Sequence, residues 1–131
     1  MTRLYEPLIP SSSWPSGFTF SPGVRAGNLI FLSGTTATDE SGKIVGENDI
    51  VEQTRQIFRK FEKTLALAGC SLSNIVETTD YVLSLEDYRR TAQVRRELLK
   101  GPPWPAATGV VVKGLVRPDA LIEIKAIAVV G

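Results

Sequence analysis

Histidine does not occur in this 131-residue chain, and cysteine occurs once, at Cys70. The first absence removes every mechanism built on imidazole: no Ser-His-Asp or Cys-His system, no HExxH zinc helix and no histidine general base. The second removes a disulfide framework and any paired-thiolate metal site. An excess of charge of one sign is also missing. Lys and Arg number 15 against 14 Asp and Glu, a net charge of +1, so nucleic acid is not expected as a partner. No apolar run approaches the roughly 20 residues a membrane helix needs. The N-terminus lacks the basic start and apolar block of a signal peptide. The expectations are a cytoplasmic protein, no membrane partner, no metal and no cofactor. Chemistry is left to carboxylates, hydroxyls, amines, backbone groups or water.

What is present suits one globular domain spanning residues 1–131, with 43% hydrophobic and 22% charged residues. Residues 1–16 hold Pro7, Pro10, Pro15 and the serines Ser11, Ser12 and Ser13, and read as an extended arm. Residues 18–24 and 28–33 read as strands joined by the turn Arg25-Ala26-Gly27-Asn28. Residues 49–68 carry Val51, Thr54, Phe58, Phe61, Leu65 and Ala68 at helical spacing, with Asp49 and Glu52 as a capping box and Gly69 as the stop. A strand over 75–83 and a helix over 85–100 follow, the helix ended by Gly101-Pro102-Pro103-Trp104-Pro105. Strands over 107–112 and 121–130 close the order ββαβαββ, an α+β chain of two layers. Val110, Val111 and Val112 are consecutive, as are the apolar residues 126–130. Strands apolar on both sides are buried on both sides, and so short a chain cannot cover its second face alone. Self-association is expected.

Few residues invite chemistry. Ser33-Gly34-Thr35 ends a strand, where backbone groups often face a ligand, although a plain strand-to-loop turn is the favoured reading of these residues alone. Ser33 has no base nearby in the sequence to make it a nucleophile. In residues 121–128, Ile122, Ile124, Ala126 and Ala128 point one way, and Glu123 and Lys125 the other. That pair is either a solvated Glu–Lys face or a carboxylate in a subunit cleft, holding a water for addition to a substrate carbon. The basic residues Arg89, Arg90, Arg95, Arg96 and Lys100 are balanced by Glu86, Asp87 and Glu97 and read as a solvated helix face. Trp104 reads as a core residue or a pocket wall.

Taken together, these pieces resemble the Rid (YjgF-type, enamine/imine deaminase) family over nearly the whole chain. The matching segments are Gly23-Val24, Gly27-Asn28, Phe31-Leu32-Ser33-Gly34, Gln53-Thr54, Leu67-Ala68-Gly69-Cys70, Ile75-Val76-Glu77-Thr78-Thr79 and Leu85-Glu86-Asp87-Tyr88. Pro105-Ala106-Ala107-Thr108 and Glu123-Ile124-Lys125-Ala126-Ile127-Ala128 complete the set, in order and at the family's spacing. The resemblance implies a chorismate-mutase-like fold assembled as a homotrimer with inter-subunit clefts. It further implies hydrolysis of a small imine, enamine or related reactive metabolite, with Glu123 positioning the attacking water. Phe20, Ser33, Gly34, Thr35, Ala107, Thr108 and Gly109 fall on the pocket positions. The match is partial. Phe20 stands for the usual tyrosine, Thr35 for glutamine and Gly109 for a frequent cysteine. Ala107 stands for the arginine that binds the substrate carboxylate, and alanine cannot supply that bidentate clamp. Lys125, Lys113 and Arg25 are the cations considered in its place. A trimeric protein that binds a small metabolite without turning it over is the alternative reading.

Overall fold

The structure, a computed structural model, describes residues 3–131. Its strands are β1 (Glu6–Leu8), β2 (Gly23–Ala26), β3 (Leu29–Thr35), β4 (Ile75–Val82), β5 (Ala106–Val111) and β6 (Ile122–Val129). Its helices are α1 (Ile50–Ala66), α2 (Leu85–Arg89) and α3 (Ala92–Leu99), with a 3-10 turn at Leu72–Asn74. They form one six-stranded sheet in the order β1-β2-β3-β6-β4-β5, with α1 and α3 packed on one face. The class is α+β in two layers. Among the described residues, no helix is long and apolar enough to cross a membrane.

Every element read from the pattern has a counterpart, but the strand expected over 18–24 begins only at Gly23 and runs on through Ala26, and two further details differ. A short strand, β1, lies inside the arm and pairs with β2 from Glu6–Arg25 to Leu8–Gly23. The helix expected over 85–100 is two helices, broken at Arg90 and Thr91. Thr91 is buried and its hydroxyl donates to the Tyr88 carbonyl at 2.8 Å, which closes α2 before α3 begins.

Local chemistry sets the rest. Asp49 caps α1 by accepting the Glu52 N–H at 3.1 Å. The reciprocal half of the capping box does not form. The Asp49 N–H donates to the Gly46 carbonyl, and the Glu52 carboxylate pairs with Arg59 at 3.2 Å. Gly69, at φ +70°, turns the chain so that the Cys70 N–H returns to the Leu65 carbonyl. The first hairpin turns on Gly27 and Asn28, with Gly27 at φ +62°.

The core lies between α1 and the sheet: Ile57, Phe58, Phe61 and Leu65 meet Ile30, Leu32, Ile122, Ile124, Ala126 and Ala128. Gln53 is buried in this layer. Its amide donates to the Gly46 carbonyl at 3.0 Å and accepts the Leu121 N–H at 2.8 Å, which fixes where β6 starts. The opposite face has no helix. Phe31 and Val110 remain 41% and 37% exposed there, and every residue of β5 is exposed.

Candidate functional site

Two strands that meet only through tertiary folding build the site. β3 and β6 are antiparallel, with Leu32 opposite Ala126 and Thr35 opposite Ile124. Three steps along β3 therefore match two along β6, and the extra residue is a β-bulge at Ser33-Gly34. Glu123 is half-buried on β6 beside it. A Cβ on residue 34 would lie 2.6 Å from Glu123 Oε2, so glycine is what lets the carboxylate settle over the bulge. The Ser33 hydroxyl donates to the Ser21 carbonyl at 2.6 Å, and the Ser33 N–H to the Pro22 carbonyl at 3.0 Å. Both bonds fasten the bulge to the preceding loop.

Beside the bulge opens a cavity of about 610 Å³. Trp14, Phe18 and Phe20 form one wall; Ser33, Gly34 and Thr35 lie at its base; Lys60 and Arg117 border it as well. Phe18 and Phe20 stack at 5.2 Å, and the Trp14 ring stands edge-on to both. The Trp14 indole N–H donates to the Phe20 carbonyl at 3.3 Å. Phe18 and Phe20 thus belong to an aromatic loop before β2 and not to the strand expected there.

Lys60 reaches from α1 to the end of β3. Its ammonium donates to Thr35 Oγ1 at 2.5 Å, to the Thr36 carbonyl at 2.8 Å and to Thr38 Oγ1 at 2.8 Å. Burial, and then the positive charge of Arg117, bring its pKa down to about 8. No ion pair among the described residues involves Lys60.

The structure brings Phe20, Ser33, Gly34 and Thr35 to one cavity; Glu123 does not border it and meets it only through Gly34. Ala107, Thr108 and Gly109 lie elsewhere in the subunit, on the outermost strand, with β4 between β5 and β6. The register decides which way they face. Glu123 pairs with Tyr81, and Tyr81 with Val110. Ala107 pairs with Thr78 and Gly109 with Asp80, and both of those are buried beneath the helices. Ala107 and Gly109 therefore face the helix layer, while Glu123 and Thr108 share the open face.

Gly109 has a packing role there. A Cβ on it would lie 2.6 Å from Cε2 of Tyr88. The Tyr88 hydroxyl donates to Asp80 Oδ2 at 2.8 Å, and Arg95 approaches the same oxygen at 3.3 Å. Burial holds the Asp80 carboxyl above the usual range against these two partners, and burial with Asp80 pushes Tyr88 up to about 12. Arg95 is thus turned inward, unlike the solvated face read for it. Trp104 lies over Gly101, away from the cavity.

Lys125, Lys113 and Arg25 do not border the cavity. Lys60 and Arg117, which do, had not been singled out in the sequence. The available signal for Lys60 was its row on α1, where it recurs at helical spacing with Gln53, Ile57 and Thr64, all buried. Among the described residues, no cluster of three Cys, Asp or Glu side chains is placed to hold a metal ion.

A family model described as Endoribonuclease L-PSP matches residues 13–130. The chain is 32% identical over 123 residues to a 3-aminoacrylate deaminase RutC of Acinetobacter baylyi, covering 94% of this chain and 96% of that protein. It is 36% identical over 110 residues to a RutC family protein of Pyrococcus horikoshii, covering 83% and 85% of the two chains. Among solved structures, a Rid family protein of unknown function from Yersinia pestis superposes with a TM-score of 0.86 at 27% identity, covering 96% of this chain and 99% of that one.

Proposed function

The chain belongs to the Rid (YjgF-type) family, and from that premise we propose that it hydrolyses a small imine, enamine or related reactive metabolite, with Glu123 as general base. The observation that carries the reading is the Glu123 carboxylate seated over Gly34, a residue that also borders the aromatic-walled cavity. In the proposed step, Glu123 takes a proton from water as the water oxygen bonds to the imine carbon. That proton passes to nitrogen to give a carbinolamine; the hydroxyl proton then follows to nitrogen by way of Glu123, the C–N bond breaks, ammonia leaves and a carbonyl compound remains. An enamine enters this step after protonation at carbon and loss of a proton from nitrogen give the imine.

The homotrimer is part of the proposal. The helix-free face, with Phe31 and Val110 exposed and β5 unpaired along its outer edge, supports it. An assembly that brings β5 of one subunit to the bulge of the next would join Ala107 and Thr108 to Glu123. A mass of one subunit by light scattering at micromolar concentration would rule that out.

The relative from Acinetobacter baylyi suggests 3-aminoacrylate as a first substrate to try. Replacing Glu123 with Gln keeps the shape and removes the base. Turnover is expected to fall by about a hundredfold or more. Unchanged turnover refutes the role of Glu123. A ligand recovered unaltered from the wild-type protein, with no ammonia released, favours the binding-protein reading instead.

A further inference from the structure

The cavity contains an imbalance of charge that folding alone does not explain. Lys60, Lys63 and Arg117 border it, against Asp39 and Glu40. Asp39 is occupied within its own turn, its Oδ1 accepting from the Ser41 N–H, the Ser41 hydroxyl and the Lys43 N–H. Arg117 pairs with Asp119 only through Nε, at 3.5 Å. Two cations thus converge on a partly enclosed space, and the ammonium of one is solvated by neutral oxygens alone. Cations that outnumber the acids lining a cleft, where Asp39 is already bonded within its own turn, are an arrangement suited to a bound anion.

The hydrogen bonds around Lys60 say how the anion would be held. All three ammonium N–H bonds are spent on Thr35, Thr36 and Thr38, so Lys60 contributes charge and no free donor. Thr35 and Thr38 each accept with the hydroxyl oxygen, and each retains its own O–H to donate. Thr35 has only a long contact of 3.4 Å to the Thr36 carbonyl for that hydrogen. The wall beyond is apolar and flat, formed by the stacked rings of Phe18 and Phe20 with Trp14 edge-on.

We propose that Arg117, together with the Thr35 and Thr38 hydroxyls polarised by Lys60, forms an anion-binding subsite whose ligand is an organic acid with an aromatic or flat apolar body lying against Phe18 and Phe20. The subsite supplies the positive charge that Ala107 withdraws from β5, and it favours acids larger than a two- or three-carbon imino acid. The inference rests on the cavity being the substrate site of the proposed hydrolase, but it is tested by binding and not by turnover.

The chain has two tryptophans, Trp14 and Trp104, and Trp104 does not border the cavity. In a Trp104→Phe background, Trp14 is therefore a fluorescent reporter on the cavity wall. Phenylacetate is the probe, with phenylacetamide as its uncharged counterpart and benzyltrimethylammonium as its cationic one. Phenylacetate is expected to give a saturable change that the other two do not. Arg117→Gln should weaken it about tenfold or more, the worth of a charge-assisted hydrogen bond. Thr38→Val should weaken it too, while Lys60→Arg should bind more tightly than Lys60→Met. Arg117 lies in an exposed loop, so its replacement tests the idea even if the Lys60 variants fold poorly.

Equal binding of the amide, preference for the cation, no saturable response, or unchanged affinity in both Arg117→Gln and Thr38→Val would each overturn the subsite. Glu123→Gln should retain phenylacetate binding. If it also retains turnover, the hydrolase reading fails and the subsite stands. If charge-independent binding accompanies a dead Glu123→Gln enzyme, the subsite fails and the hydrolase reading stands.

Discussion

Glu123 Oε2 occupies the space directly above Gly34, 2.6 Å from where a side chain on residue 34 would begin. The backbone of Gly34 is not in the left-handed region, so an alanine there meets no conformational strain of its own. It meets only the far end of a flexible glutamate. Gly34→Ala should therefore move the carboxylate at little cost to the fold. Stability by urea unfolding is expected within about 1 kcal/mol of wild type. Turnover should fall as far as in Glu123→Gln. Full activity in Gly34→Ala would separate the two residues.

Ala107 lies exposed on the outermost strand, where a longer side chain has room. Small 2-imino acids such as 2-iminobutyrate depend on the missing guanidinium in the proposed scheme, so wild type should hydrolyse them slowly. Ala107→Arg should raise kcat/KM for 2-iminobutyrate about tenfold or more, as one added charge-assisted bond allows. Ammonia release followed by a coupled dehydrogenase measures it. An unchanged rate would mean that residue 107 does not reach the substrate.

Tyr88 is held between Gly109 and Asp80. Tyr88→Phe removes the 2.8 Å hydrogen bond to a fully buried carboxylate, leaving it only the 3.3 Å contact with Arg95. The expected loss is about 1–3 kcal/mol. Gly109→Ala presses a methyl group into the ring itself and should cost a similar amount, about 1–3 kcal/mol. Equilibrium denaturation tests both, and a Tyr88→Phe protein as stable as wild type would show that the bond contributes nothing.

The lysine on α1 gives the protein a distinctive alkaline response. In the folded chain Lys60 loses its proton near pH 8, whereas its ordinary value is 10.5. Below about 8 the folded and unfolded states are both protonated there, and the cost of burying the charge is fully present. From about 8 upward the unfolded state binds more protons, so this residue's contribution makes stability rise with pH until about 10.5. Tyr88, raised from 10.0 to about 12, works in the opposite sense above 10. Asp39, Glu40, Lys63 and Arg117 share the cavity with Lys60 and are common to wild type and variant. Between pH 8 and 10, wild type should therefore gain stability relative to Lys60→Met; parallel curves would contradict the assignment. Binding of an acid in the cavity should weaken over the same interval.

The fold class was legible because its signals are local. The apolar stripe of α1, the alternation in β6 and the Pro-rich stop after α3 each need only neighbouring residues. β1 escaped notice because its three residues include Pro7 and its partner is the later strand β2. The break between α2 and α3 was hidden because Tyr88, Thr91 and Arg95 keep helical spacing across it, and only the side-chain bonds of Thr91 reveal the closure. The site was half legible. Glu123 could be singled out through alternation and resemblance, but its seat over Gly34 depends on a bulge between distant strands. Lys60 looked like one more surface lysine, because the oxygens that hold it, on Thr35, Thr36 and Thr38, are far away in sequence.

The strand that comes last along the chain lies in the interior of the sheet, between β3 and β4. β3 and β4 are joined only through β6, by pairings such as Ile30–Ala128 and Ile124–Asp80. A chain without β6 has nothing between β3 and β4, no sheet residues Ile122, Ile124, Ala126 and Ala128 beneath α1, and no carboxylate over the bulge. The proposed base and the joining of the two halves of the sheet therefore depend on one strand, and a chain truncated before Ile122 should lack both.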